Sequence, residues 1–109
     1  MYKKLILAPL FALSAGLATA SGWTEPLTIV SAFVEDSDYV IVYTSGGRQY
    51  VLNCGLNQWN FVANGEPRKN RAWATILTAI ATGKKISFWY GDTCGVWGYH
   101  QATAVQLVN

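Results

Sequence analysis

Absences narrow this sequence before any motif does. It holds one histidine, one methionine and two cysteines in 109 residues, and only 13% of its residues are charged. A single histidine, His100, excludes the multi-histidine metal sites, and two cysteines alone do not make a zinc site. No nucleophile, base and acid fall in a recognisable catalytic motif. No glycine-rich phosphate loop leads into a lysine. Catalysis, a metal and a cofactor are therefore not expected. Internal repeats, low-complexity tracts and linkers are absent, and no apolar run is long enough for a secure membrane span.

The amino terminus reads as a secretory signal peptide over residues 1–20. Lys3 and Lys4 form a short basic region, residues 5–17 are largely apolar, and Ala18-Thr19-Ala20 fits a small-x-small cleavage site; the alternative is an uncleaved anchor. Cleavage leaves one domain, residues 21–109, in a secreted or periplasmic protein. The net charge of +2 then falls to zero, because Lys3 and Lys4 leave while Glu25, Glu35, Asp36, Asp38, Glu66 and Asp92 all remain. A neutral surface does not supply the phosphate neutralisation that drives nucleic-acid binding. Arg68, Lys69 and Arg71 form a local basic cluster that fits a solvated helix start. The run Glu35-Asp36-Ser37-Asp38 is acidic but lacks the ligand spacing of a calcium loop, and it reads as a turn.

Two cysteines in an exported chain predict a Cys54–Cys94 disulfide. A catalytic thiol at Cys94, near Asp92 and His100 in sequence, is the alternative, and proximity is its only support. All five tryptophans lie in the mature chain. That is more ring surface than a small core easily hides, so some rings are expected at the surface or at an interface.

Along the chain, residues 27–34 (LTIVSAFV) are β-branched and apolar on both faces, which predicts a central strand. Residues 39–44 and 48–54 flank Ser45-Gly46-Gly47, a hairpin signal. Residues 55–65 stay open between a short strand at Trp59, Phe61 and Val62 and a loop. Trp73, Ile76, Leu77 and Ile80 follow the period of a buried helix face, with Asn70 as N-cap and Gly83 as C-cap. The second face, Thr75, Thr78, Ala79 and Thr82, is small and uncharged, unlike a solvated helix. Residues 85–90 alternate, with Ile86, Phe88 and Tyr90 on one side. A glycine-punctuated loop over 91–101 precedes a last strand, 102–108. Three strands, a helix and two strands predict an all-β fold with one helix: an OB-fold-like five-stranded Greek-key barrel with the helix between strands 3 and 4. A helix on an antiparallel sheet in another α+β arrangement is the competitor.

Several of these residues carry a resemblance. Thr82-Gly83-Lys84-Lys85-Ile86-Ser87-Phe88-Trp89-Tyr90, Gly95-Val96-Trp97-Gly98-Tyr99 and Ala104-Val105, with Trp23-Thr24 at the mature start, resemble the B subunits of the subtilase cytotoxin, typhoid and pertussis-like AB5 toxins. The likeness covers about half of the mature chain, mainly its C-terminal half. It implies an OB-fold subunit that binds host glycans as a ring oligomer, possible partner to a catalytic A subunit, with helices lining a pore. Thr75, Thr78, Ala79 and Thr82 would then face that pore. Two departures stand out. The segment that carries most sugar contacts in that family is reduced here to Glu25 and Pro26, and the cysteine placement differs.

The loop over 91–101 gathers Asp92, Trp97, Tyr99, His100 and Gln101. Sugar faces pack on rings while hydroxyls meet polar groups, so these five are the candidate ligand-binding residues. The other reading is that Trp97 and Tyr99 merely cap a barrel end, that the disulfide pins the loop, and that His100 is a hydrogen-bonded structural residue. The expected function is a secreted, non-catalytic glycan-binding subunit in a homo-oligomer. The alternative is a monomeric envelope module that binds another protein as an inhibitor or adaptor.

Overall fold

β-branched and aromatic residues concentrate in short runs separated by Gly, Asn, Asp and Pro, and these runs become strands. The computed structural model describes residues 21–109; the signal-peptide reading of residues 1–20 lies outside the described residues. In chain order the elements are β1 (Gly22–Trp23), β2 (Thr28–Val34), β3 (Val40–Ser45) and β4 (Gln58–Phe61). The helix α1 (Glu66–Thr82), β5 (Lys85–Cys94), a 3₁₀ turn (Val96–Gly98) and β6 (His100–Val108) complete it.

Among the described residues the protein is mostly β with a single helix, as the sequence predicts. The six strands described there form one sheet in the order β1-β5-β6-β4-β3-β2. Every pair is antiparallel except β4 and β6, which run parallel with Trp59 opposite His100 and Phe61 opposite Ala102. The segment that opens the described chain lies along β5, where Leu27 and Ile86 exchange backbone hydrogen bonds of 2.7 and 3.0 Å. It then continues as β2 along β3. The sheet curls so that its two edges approach through Thr24 and Leu27, but it is not the closed five-stranded barrel expected. Pro26 has no N–H to donate, so pairing on β5 shrinks to the two residues of β1 and a single bridge at Leu27. A register shift between Ile29 and Ser31 bends β2 away from the straight course.

Three local expectations are also corrected. First, residues 27–34 are not a central strand. β2 is an edge, with Val30 66% exposed. Second, residues 48–54 do not form the second arm of a hairpin. β3 pairs with β4 instead, Val42 opposite Trp59. The N–H groups of Tyr50 and Val51 both donate to His100 Nε2 at 3.2 Å, so they are not available to a ladder. Third, α1 starts four residues ahead of Asn70, after Gly65 at φ 132°, with Pro67 in the first turn where its missing N–H costs nothing.

The buried face of α1 is Ala72, Ile76 and Ala79, while Leu77 and Ile80 remain about half exposed. Two alanines on the inner face let the helix lie close to the sheet, and that turns the larger Leu77 and Ile80 outward. Gly83 ends the helix at φ 69°, the left-handed cap expected of it. The core that α1 covers is built from Leu27, Val42, Trp59, Phe61, Ile86 and Phe88. Ile86 and Phe88 alternate inward as the sequence indicates. The Cys54–Cys94 disulfide is present, with Cα atoms 5.4 Å apart, so Cys94 is not a free thiol.

Candidate functional site

Strand alternation makes a second apolar layer on the outside of the sheet. Val40 and Val42 point into the core, so Tyr39, Ile41 and Tyr43 point away from it. Ile41 is nonetheless fully buried. It sits between Phe33 of β2 and Asn60 of β4 in register.

The turn after β5 is compact. Gly95 N–H donates to the Tyr99 carbonyl at 2.6 Å and Tyr99 N–H returns to the Val96 carbonyl at 3.0 Å. A Cβ at Gly95 would meet Gln101 Cβ at 3.2 Å and Asn60 Nδ2 at 3.4 Å, so a larger residue fits only if those side chains give by a few tenths of an ångström. Trp97 and Gly98 both take left-handed conformations, φ 58° and 73°. A tryptophan in that region stores backbone strain. The strain holds the ring out over the sheet, 55% exposed.

The rings then meet in an unbroken chain. Phe33 packs on Tyr43 at 5.7 Å, Tyr43 on Tyr99 at 6.1 Å, Tyr99 on Trp97 at 5.5 Å, and Trp97 on Tyr39 at 5.7 Å. All four contacts are edge-to-face, the arrangement ring quadrupoles favour. The hydroxyls of Tyr43 and Tyr99 lie 3.2 Å apart. The Tyr43 hydroxyl beside Tyr99, aided by burial, raises the Tyr99 pKa above the usual phenol value. The Tyr99 hydroxyl therefore stays a neutral donor and acceptor.

The polar complement is an amide. Asn60 is 4% exposed and its Oδ1 has no hydrogen-bond partner among the described residues. Beside it a cleft of about 230 Å³ is lined by Ser37, Asp38, Tyr39, Asn60, Val62 and Lys69. Tyr39 and Asn60 thus belong both to the cleft and to the aromatic layer. A buried unpartnered acceptor next to exposed rings can take a hydroxyl or N–H from a ligand while the rings cover an apolar face.

Of the five residues singled out from the sequence, the structure brings Trp97 and Tyr99 into the ring chain and sets Gln101 beside Asn60 in register. It separates the other two. His100 faces the core and is fully buried, stacked on Trp59 at 4.7 Å. Asp92 is exposed on β5 with no hydrogen bond or ion pair to the rings among the described residues. Phe33, Tyr39, Tyr43 and Asn60 escaped the sequence reading. The spacing of Tyr39 and Tyr43, four apart along a strand whose other face is Val40 and Val42, was the available signal.

Of the four candidate helix residues, Ala79 is buried in the core, Thr75 is half-buried, and Thr78 and Thr82 are exposed. The threonine hydroxyls donate to the carbonyls four residues back, Thr75 to Arg71 at 3.1 Å, Thr78 to Ala74 at 2.8 Å and Thr82 to Thr78 at 2.6 Å. Their polarity is therefore spent on the helix backbone.

Among the described residues no three of His, Cys, Asp and Glu converge as a metal site, and no helix is long and apolar enough to cross a membrane. Compared with protein-family models and with curated proteins, the chain matches none.

Proposed function

We propose that this chain is a secreted or periplasmic, non-catalytic binding subunit that recognises carbohydrate on the outer face of its sheet. The observation that carries this reading is the ring chain from Phe33 to Tyr39, in which Phe33, Tyr39 and Trp97 are exposed, beside the Asn60 Oδ1, which is unpartnered among the described residues. A pyranose face would cover Trp97 and Tyr99, and a hydroxyl would donate to Asn60 Oδ1. A glycan array followed by titration tests it. Trp97→Ala, on an exposed ring, is expected to weaken binding about tenfold with unchanged thermal stability, as for an aromatic interface anchor. Binding that survives Trp97→Ala unchanged would place the ligand elsewhere.

The fold reading that accompanies it is a variant OB-fold. Its supports are the parallel pairing of β4 with β6, the helix leading from β4 to β5, and an opening segment shared between β5 and β3. Taken as one bent strand, β1 and β2 reduce the six strands to the five of that Greek-key pattern.

The toxin B-subunit resemblance adds assembly into a ring with a catalytic A subunit as partner. Its support is the outer face of α1, where Leu77 and Ile80 are exposed and the threonine hydroxyls are already bonded. Such a face can be buried without stranding polar groups. Thr78→Glu is expected to shift the light-scattering mass from oligomer to monomer with an unchanged circular dichroism spectrum, because like charges would meet around the axis. The same exposed pair favours the second reading, a monomeric envelope module whose helix docks on another protein. A monomer in light scattering that recovers a stoichiometric partner through α1 would select it.

A further inference from the structure

The segment joining β3 to β4 is fastened by a group that can hold it in only one protonation state. His100 opens β6 and is fully buried, with the Trp59 ring on one side at 4.7 Å and the Tyr50 ring at 5.7 Å. Its Nε2 accepts from two backbone donors, the N–H groups of Tyr50 and Val51, each at 3.2 Å. An atom that accepts twice carries no proton, so the imidazole is neutral with its hydrogen on Nδ1. Nδ1 makes no well-formed hydrogen bond among the described residues, although the Gly55 carbonyl lies near enough to the ring to favour its charged form. A proton added at Nε2 would point at two N–H donors and place an uncompensated charge in the core.

We propose that residues 46–53 form an acid-released latch: protonation of His100 expels the Tyr50–Val51 crossing and uncovers the aromatic core beneath it. This goes beyond the binding function and does not depend on it.

The other fastenings fix how far the latch moves. Downstream, Cys54 stays tied to Cys94, and Gly55 N–H donates to the Gly98 carbonyl at 2.8 Å. The Gln49 side chain donates to the Cys54 carbonyl at 2.6 Å and so bridges the moving part to its anchored end. Upstream, Gly46 at φ 82° followed by Gly47 offers a hinge. Between these points two further ties hold among the described residues, both to Glu25: the Tyr50 hydroxyl donates to it and Arg48 pairs with it at the surface. Beneath Tyr50 lie Tyr90, at 4.9 Å, and Trp59, so release uncovers rings now shielded from water.

The charged groups on the surrounding elements are Arg48 on the loop, Asp92 on β5 and, through Tyr50, Glu25. Arg48 and Glu25 pair with each other at 3.6 Å at the surface. None of the three supplies a counter-charge to the imidazole, whose pKa is lowered by burial and opposed only by the Gly55 carbonyl. The unfolded or released loop leaves His100 near its ordinary value of about 6.5. Above that pH both forms are neutral and the latch is closed at no cost. Below it the released form binds a proton that the closed form refuses, so the open fraction rises on the order of tenfold per pH unit until the depressed value is reached. The Tyr50 hydroxyl holds the Glu25 carboxyl below its usual range, so this second tie lasts to lower pH and breaks after the first.

With one histidine in the chain, its imidazole resonances are unambiguous. Amide exchange of the wild-type protein is followed by NMR from pH 7.5 to 4.5 alongside that titration. The Tyr50 and Val51 amides are expected to lose protection about tenfold per pH unit below about 6.5, while Phe88 and Val105 in β5 and β6 keep theirs. In His100→Gln, whose side-chain oxygen accepts without titrating, the Tyr50 and Val51 protection is expected to be flat over the same range. Protection at Tyr50 and Val51 that survives the imidazole titration overturns the proposal. So does its loss together with Phe88 and Val105, which is global unfolding. The wild-type measurement decides by itself if the variant does not fold.

Discussion

Replacing Cys54 and Cys94 together by alanine is expected to lower the unfolding free energy by about 4 kcal/mol. The two cysteines are 40 residues apart, and closing a loop of that length removes about 13 cal/mol/K from the unfolded chain. A domain of this size is stable by only about 5–10 kcal/mol, so the loss takes a large share of the total. With a urea slope of about 1–2 kcal/mol/M the midpoint should fall by about 2–4 M. The double variant leaves no thiol to reshuffle, which keeps the comparison clean. The bridge also joins the loop before β4 to the end of β5, two regions otherwise linked through the His100 and Gly98 backbone contacts. A midpoint change below about 0.5 M would mean that those contacts hold the loop unaided.

What the sequence made legible is what local rules decide. Gly83 after a helical period admits one ending, and the left-handed cap is there. Ile86 and Phe88 alternate against Ser87 and Trp89, and the strand buries the expected side. The even cysteine count, with an amino terminus that reads as a secretory signal, predicted the disulfide, since each cysteine had one other to pair with. The hairpin failed because Ser45-Gly46-Gly47 satisfies a local turn rule while the decisive partner is 50 residues away. His100 takes the donors of Tyr50 and Val51, and no periodicity near residue 50 encodes that. The helix face failed for a related reason. Leu77 and Ile80 fit the hydrophobic period as well as Ala72 and Ala79 do, and only the distance between helix and sheet chooses the alanines.

The candidate site was half legible for the same reason. Trp97, Tyr99 and Gln101 lie together in sequence, so a loop rich in rings and amides identified them. Phe33, Tyr43 and Asn60 arrive from three other strands, and their neighbourhood depends on β4 pairing with β6, a parallel crossover. His100 is the hydrogen-bonded structural residue that the sequence offered as its other reading, and it stood among the ligand candidates because the last strand was started two residues late. A strand beginning at residue 102 leaves it in a loop, whereas a strand beginning at residue 100 sends it inward between Tyr99 and Gln101.

Trp59→Ala is expected to be the most damaging single substitution, at about 3–5 kcal/mol. Trp59 is fully buried at the centre of the core, with Phe88 at 4.8 Å, His100 at 4.7 Å and Tyr50 at 5.9 Å. Removing the indole empties the space between β4, β5 and β6 and takes away the surface on which the His100 ring is stacked. The Tyr50–Val51 crossing should loosen in the same variant, so its amide protection should fall even where the fold survives. Trp59→Phe separates volume from polarity. The indole Nε1 is buried without a hydrogen-bond partner, and an unbonded buried donor costs about 1–3 kcal/mol. Phenylalanine removes that donor while keeping most of the ring contacts with Phe88 and His100. The cavity and the relieved donor then oppose each other, and the net change is expected within about 1 kcal/mol of wild type. Denaturant midpoints of the two variants against wild type measure both. If Trp59→Phe costs as much as Trp59→Ala, the indole N–H is bonded, and the core is held by polarity as well as by packing.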